Sequence, residues 1–293
     1  MQTLKTLVFI SLALMAFAGN SVLCRLALGG GLMDAAGFTV FRLLSGALTL
    51  MIICLFLSHQ TADGITSFFK PTGRQIKGAL MLFSYALCFS YAYVLLDTGT
   101  GALILFAAVQ LTLLLANFLA GKRFVFIEWL GVLLSFSGLI YLLLPAWGTP
   151  SLMGFVLMTC SGVAWGLYTL AGKGSEKPLL ETTKNFIWCV PLAFLLSLLS
   201  FQPNVWTSHG LILAVISGAL TSGVGYAIWY AVLPKLSLSQ AGVLQLLVPV
   251  LAALGGVVFA AELLTIRLML SAALVLGGIY LVLVSTKSAS PSE

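Results

Sequence analysis

Ten apolar runs, each about as long as a bilayer is thick, constrain this chain more than any other feature. A spanning helix needs about 20 mostly apolar residues. The runs fall roughly at 4–24, 35–57, 75–96, 99–120, 125–145, 152–172, 182–201, 209–231, 239–261 and 264–285. Connections between them are short, and the longest non-apolar stretch is His59 to Lys77. With 60% hydrophobic and only 8% charged residues, against about a quarter charged in a soluble domain, a soluble chain has no way to hide this surface. The expected fold class is therefore all-α, a polytopic membrane protein with ten transmembrane helices and the lipid bilayer as its solvent. A net charge of +6 would suggest nucleic acid in a soluble protein. Here placement matters more than the sum, and no nucleic-acid partner is expected. Lys5 ahead of an apolar run and Ala16-Phe17-Ala18 mimic a leader with its cleavage site, but a cleaved leader should release a soluble domain and none follows. The first run is read as a span.

The basic residues orient these spans. With an inside N-terminus the inner set is Lys5, Lys70, Arg74, Lys77, Lys122, Arg123, Lys173, Lys177, Lys184, Lys235 and Lys287, which leaves Arg25, Arg42 and Arg267. That bias follows the positive-inside rule and puts both termini in the cytoplasm. The chain also repeats itself. Tyr91-Ala92, Ala102, Gln110 and Arg123 recur at one constant offset as Tyr230-Ala231, Ala241, Pro249 and Glu262, and Gly138 to Leu142 recurs as Gly277 to Leu281. Phe17, Asn20 and Arg25 match Trp165, Tyr168 and Lys173 at a slightly larger offset, so the first half holds an extra loop segment near 58–73. Duplication predicts two units, 1–146 and 147–293. Five spans per unit is an odd number, so the two units insert in opposite directions. Inverted repeats are a common plan of secondary transporters, whose substrate sites lie near the midplane between repeats.

The second unit carries the most informative stretch, Tyr226 to Glu262. Leu233-Pro234-Lys235 ends one span and Ser237 to Gln240 opens the next. Pro249 sits inside that next run, where it removes a helical hydrogen bond and frees a carbonyl, with Gln245 four residues earlier on the same face. Backbone freed in this way is tolerated only against protein or a water-filled cavity.

These features resemble the drug/metabolite transporter superfamily, specifically its EamA-type members with two five-helix repeats. The likeness rests on Phe17-Ala18-Gly19-Asn20 with Arg25, Ala164-Trp165-Gly166, Tyr226-Ala-Ile-Trp-Tyr with Leu233-Pro234, Pro249-Val250 with Glu262, and Gly277-Gly278-Ile279. It spans almost the whole chain. It implies a carrier fold and says little of the cargo. The first unit departs from the pattern, with Gln110 in place of the proline and Arg123 in place of the acidic residue.

Candidate cavity residues follow from polarity at depth. Arg42 lies about two turns inside the second span, where a lipid-facing arginine costs at least ~2.5 kcal/mol at the centre. It either contacts an anionic group on the cargo or snorkels to the interface beside Asp34. Asn20 serves a neighbouring helix or the cavity. Gln110 and Gln245, near mid-span, offer donor and acceptor to a polar solute. Tyr85, Trp165, Tyr168 and Tyr226 complete the candidate lining, while Tyr91, Tyr93, Trp229 and Tyr230 read as interfacial belt. Pro249, Pro234 and Gly166 are candidate hinges, with Gly162 and Gly166 also fitting a small-xxx-small packing face.

The function expected is alternating-access movement of a small, amino acid-like or amphipathic metabolite across a bacterial inner membrane, chiefly as export, whether facilitated, by exchange or ion-coupled, with an uncoupled channel-like facilitator as the alternative. No carboxylate lies mid-span, so a buried-acid proton relay is disfavoured. No ATP-binding fingerprint occurs. Five scattered cysteines lack metal-site spacing, so neither metal nor cofactor is expected. A channel would need a repeated filter around an axis. An intramembrane enzyme would need a nucleophile and base at one depth, yet His59 and His209 fall at loop edges and no G-x-S-x-G occurs.

Overall fold

The computed structural model describes residues 2–57, 68, 72–121, 125–144, 150–172, 175–200, 206–236, 241 and 244–288, and every regular element among them is helical. The loop segment near 58–73, Arg123, Lys122, Lys173 and Ser237 to Gln240 lie wholly or almost wholly outside the described residues. The helices are α1 (Gln2–Gly29), α2 (Ala35–Leu57), α3 (Gly73–Leu95), α4 (Thr98–Leu119), α5 (Phe126–Leu143), α6 (Leu152–Gly172) and α7 (Pro178–Leu199). They continue with α8 (Ser208–Lys235), α9 (Leu247–Ala260) and α10 (Ile266–Ser288).

Nine of these are long and apolar enough to cross a membrane. The ninth run, expected at 239–261, is broken: Ala241, Leu244 and Gln245 are helical, the chain turns at Leu246, and a further helix runs over Leu247–Ala260. Pro249 explains the interruption. It is the third residue of α9, where its missing N–H matters little, but its ring excludes a regular helix across the carbonyl of Gln245 four residues back. The prediction is that Pro249→Ala lets the helix run through Leu246, leaves insertion intact and changes the turnover rate in vesicles. An unchanged rate would make the interruption incidental.

Local chemistry sets the other helix starts. Thr72 N–H donates to Gln75 Oε1 at 2.9 Å ahead of α3, and Val125 N–H to Glu128 Oε2 at 2.9 Å ahead of α5. Each satisfies a backbone donor that the first turn leaves free. Pro178 begins α7, where a missing N–H costs least.

The outer surface is apolar all round. Leu4, Phe56, Phe126, Leu133, Phe194, Leu198, Phe259 and Leu263 are all well over half exposed, an arrangement suited to lipid and not to water. The interior is reached through small residues, because a bilayer gives helices little hydrophobic reason to associate and close backbone packing must do so instead. Every residue of α4 from Thr98 to Gln110 is buried. A Cβ on Gly162 of α6 would stand 2.5 Å from Ala108 Cβ and 2.7 Å from the Leu105 carbonyl, so α6 lies directly on α4. Gly166 meets Thr112 in the same way, within an unbroken α6. Gly166 packs α6 on α4 at this point. Gly131 and Gly278 bring α5 and α10 together, each facing the other's carbonyl.

Helices pack chiefly across the halves. α5 runs along α10, α2 along α7, and α4 against α9. α3 and α4 flank α6 as α8 and α9 flank α1, and α2 meets α8 as α7 meets α3.

Candidate functional site

Polar side chains from both halves converge where α1, α2, α3, α6 and α8 meet. Asn20 of α1 is the bridge. Its carbonyl accepts from Ser217 Oγ at 2.7 Å and Thr221 Oγ1 at 3.5 Å, and its amide donates to Tyr85 OH at 3.4 Å. Ser217 and Thr221 reach it because Ser217–Val224 of α8 is a π-helix, a widened turn found often at functional sites. Thr221 also returns a bond to the Ser217 carbonyl at 2.7 Å.

Arg42 enters the same centre from α2. It is 2% exposed, which rules out snorkelling. Its Nη2 donates to Tyr85 OH at 3.1 Å, and its guanidinium lies 4.8 Å from the Phe89 ring centroid and 5.3 Å from that of Tyr85. Such cation–π contacts are strengthened by desolvation, but Nε and Nη1 find no acceptor. Nor does the expected pairing with Asp34 form. Asp34 accepts from Gly37 N–H at 2.8 Å and from Trp206 Nε1 at a short distance.

An aromatic wall continues from Tyr85. Its ring contacts Trp165 at 4.8 Å, and Trp165 lies 5.3 Å from Tyr168 and stacks on Tyr226 at 5.5 Å with planes 24° apart. Phe17 meets Tyr226 and Trp229, both at 5.8 Å. Beyond Tyr168 the polar chain resumes: its hydroxyl bonds Thr182 Oγ1 at 3.2 Å and accepts from Asn185 at 3.3 Å, and Thr182 donates to Tyr230 OH at 3.0 Å.

Six of the eight residues expected to line a cavity therefore form one connected cluster: Asn20, Arg42, Tyr85, Trp165, Tyr168 and Tyr226. Gln110 is buried in α4 and Gln245 is half-buried before α9, and neither joins a contact of this cluster. Tyr93 and Trp229, read as belt residues, are buried instead. Tyr93 bonds the Thr98 carbonyl at 3.3 Å, and Trp229 packs on Phe17. Pro234 lies in a 3₁₀ turn, Leu233–Lys235, that ends α8. Beside α9, a mostly apolar crevice of about 230 Å³ is lined by Leu103, Pro249 and Leu276.

A second network, missed in the sequence, closes one end of the bundle. Ala261 adopts the left-handed conformation (φ 52°), so Glu262 folds back and its N–H reaches the Gly256 carbonyl at 3.1 Å, capping a carbonyl that the end of α9 leaves free. The carboxylate then accepts from Thr98 N–H and Oγ1, each at 2.9 Å, and from Arg25 Nε at 3.2 Å. Arg25 also bonds Asp97 at 3.1 Å and the Tyr93 carbonyl at 3.2 Å. The recurrence of Glu262 and Arg25 in the repeat was the available signal, but nothing in it pairs residues 237 positions apart. At the other end Arg74 donates twice to the Ala171 carbonyl, at 2.8 and 3.1 Å. Among the described residues no group of acidic, histidine and cysteine side chains could hold a metal ion.

Comparison with known proteins fits this architecture. The profile of the EamA-like transporter family matches residues 152–284. The uncharacterized protein PA1977 of Pseudomonas aeruginosa is 49% identical over 280 residues, covering 95% of this chain and 94% of that protein. An uncharacterized transporter of Archaeoglobus fulgidus is 28% identical over 198 residues, 64% of this chain and 69% of its own. The uncharacterized transporter YoaV of Bacillus subtilis is 23% identical over 252 residues, 83% and 85% of the two chains. One crystal structure superposes with a TM-score of 0.64 at 22% identity, over 96% of this chain and 99% of that one, a likeness of fold alone. Transporter-named relatives set the enzyme reading aside, and with a near-full-length relative at 49% identity beside the family match, this chain belongs to the EamA-like transporter family of integral membrane proteins.

Proposed function

We propose that the protein carries a small organic solute across the bacterial inner membrane by alternating access of two inverted five-helix units, 1–146 and 147–293, with both termini in the cytoplasm. The observation that carries this reading is the polar and aromatic cluster built by α1, α2 and α3 from one unit and by α6 and α8 from the other. Relative motion of the two units necessarily rearranges it, as a site exposed to each side in turn requires. The exchange symmetry of the packing, in which α3 on α6 has its counterpart in α8 on α1, supports the two-unit plan. The basic residues support the orientation. The six acidic residues among the described residues, Asp34, Asp97, Glu128, Glu176, Glu181 and Glu262, fall at helix ends or in connections, which favours movement down the solute's own gradient, by export or by exchange, over a buried-acid proton relay.

The test is counterflow in proteoliposomes preloaded with unlabelled amino acids, amines, alcohols or carboxylates. Labelled solute of one class is expected to accumulate transiently above equilibrium. Unsaturable equilibration without overshoot would replace the carrier with a pore.

A further inference from the structure

The geometry points to a small organic carboxylate that lacks an ammonium group as the ligand of Arg42, with its flat apolar body lying against Trp165 and Tyr226. This rests on the carrier reading and names the cargo class for it.

The charge balance comes first. The side chains around the guanidinium that could carry a negative charge are Tyr85, Tyr226 and Cys24, two phenols and a thiol with no carboxylate among them. No carboxylate among the described residues pairs with Arg42: those in ion pairs sit on Arg25 and Arg74 at the ends of the bundle. One buried positive charge therefore stands uncompensated, and burying an ion costs several kcal/mol unless its partner is well placed. A monoanion neutralises the site, whereas a neutral or cationic solute leaves or worsens the imbalance.

Donor geometry selects the kind of anion. Tyr85 takes one hydrogen of Nη2, while Nε and Nη1 are free of acceptors. The second hydrogen of Nη2, together with the one free N–H parallel to it on Nε or Nη1, forms the planar fork that a carboxylate accepts in two parallel bonds. Asn20 has its carbonyl committed to Ser217, and the Tyr85 hydroxyl already meets Arg42 Nη2 and the Asn20 amide. An α-amino acid would bring an ammonium into this site with no carboxylate to meet it. Trp165, half-buried, stacks on Tyr226, and an aromatic or planar apolar body extends that stack through offset contact.

The experiment uses the full-length protein, purified, and radiolabelled 3-phenylpropionate, displaced by unlabelled 3-phenylpropionate, its neutral amide, or phenylalanine. Saturable binding to the wild type is expected, with the amide and phenylalanine each competing at least about tenfold more weakly. Arg42→Leu should abolish binding, and Arg42→Lys, which keeps the charge and loses the fork, should weaken it. The wild-type competition stands even if Arg42→Leu fails to fold. No saturable binding to the wild type, or an amide that competes as well as the acid, overturns the assignment. A protein that fails these arms yet shows counterflow with a neutral or cationic solute keeps the carrier reading and loses this one.

Discussion

Glu262→Ala is expected to lower the melting temperature of the purified protein by about 5–10 °C and to unlatch the Arg25 end of the bundle. The carboxylate is 11% exposed and holds the first backbone N–H of α4, the Thr98 hydroxyl and Arg25 together. Removing one partner of a fully buried pair costs ~3–5 kcal/mol. Here Arg25 is 23% exposed and keeps Asp97, so about 2–3 kcal/mol is the better figure, and each kcal/mol moves the melting point of a chain somewhat shorter than this by roughly 2–4 °C. Glu262→Gln should lose less, since an amide oxygen still accepts from Thr98. The functional readout is Cys24, which is fully buried beside Arg25 in α1. With the other four cysteines replaced, its labelling by an impermeant maleimide should accelerate in Glu262→Ala. An unchanged melting point together with unchanged labelling would show that the network neither stabilises nor gates.

What the sequence made legible follows from how each feature is encoded. Span number and helix class come from local apolar runs, so α1 to α8 and α10 lie close to their expected places. The ninth helix is interrupted at Leu246, and the cause, Pro249 acting on the carbonyl of Gln245, is local and readable. Arg42 stood out because a charge at depth is exceptional in any span. Its lack of a countercharge did not, because Asp34 lies close in sequence and only the fold shows it turned to Gly37 and Trp206. Tyr93 and Trp229 were misplaced because distance from a span end does not tell which face a side chain takes. The Arg25–Glu262 pair and the Asn20–Ser217 bond join distant segments, and no period or motif links them. Gln110 shows the converse, since a mid-span amide need not face the centre when the stretch of α4 that holds it, Thr98 to Gln110, is buried on all sides.

The π-helical turn of α8 predicts the most severe packing defect. Gly218 lies so close to α2 that an added Cβ would fall 2.0 Å from Ser45 Oγ and 2.1 Å from the carbonyl oxygen of Arg42. The serine hydroxyl can rotate away, but the carbonyl belongs to the α2 backbone, so the two helices must separate by an ångström or more. Gly46 and Gly223 close the same seam against the Gly218 carbonyl and Thr49, and Phe186 of α7 backs Gly46, which leaves little room to shift sideways. Overpacking by a single methyl costs ~1–3 kcal/mol when neighbours adjust, and Gly218→Ala should lower the melting point by several degrees. Gly218→Val adds branched bulk against backbone, and it should fail to yield monodisperse protein on size-exclusion chromatography. Gly277→Val on α10, where nothing approaches within 4 Å, is the matched control and should behave as wild type. Any folded Gly218→Ala protein should also transport more slowly, because displacing the Arg42 carbonyl moves its guanidinium relative to Tyr85. Wild-type yield and melting point for Gly218→Val would mean that α2 and α8 do not meet through this seam.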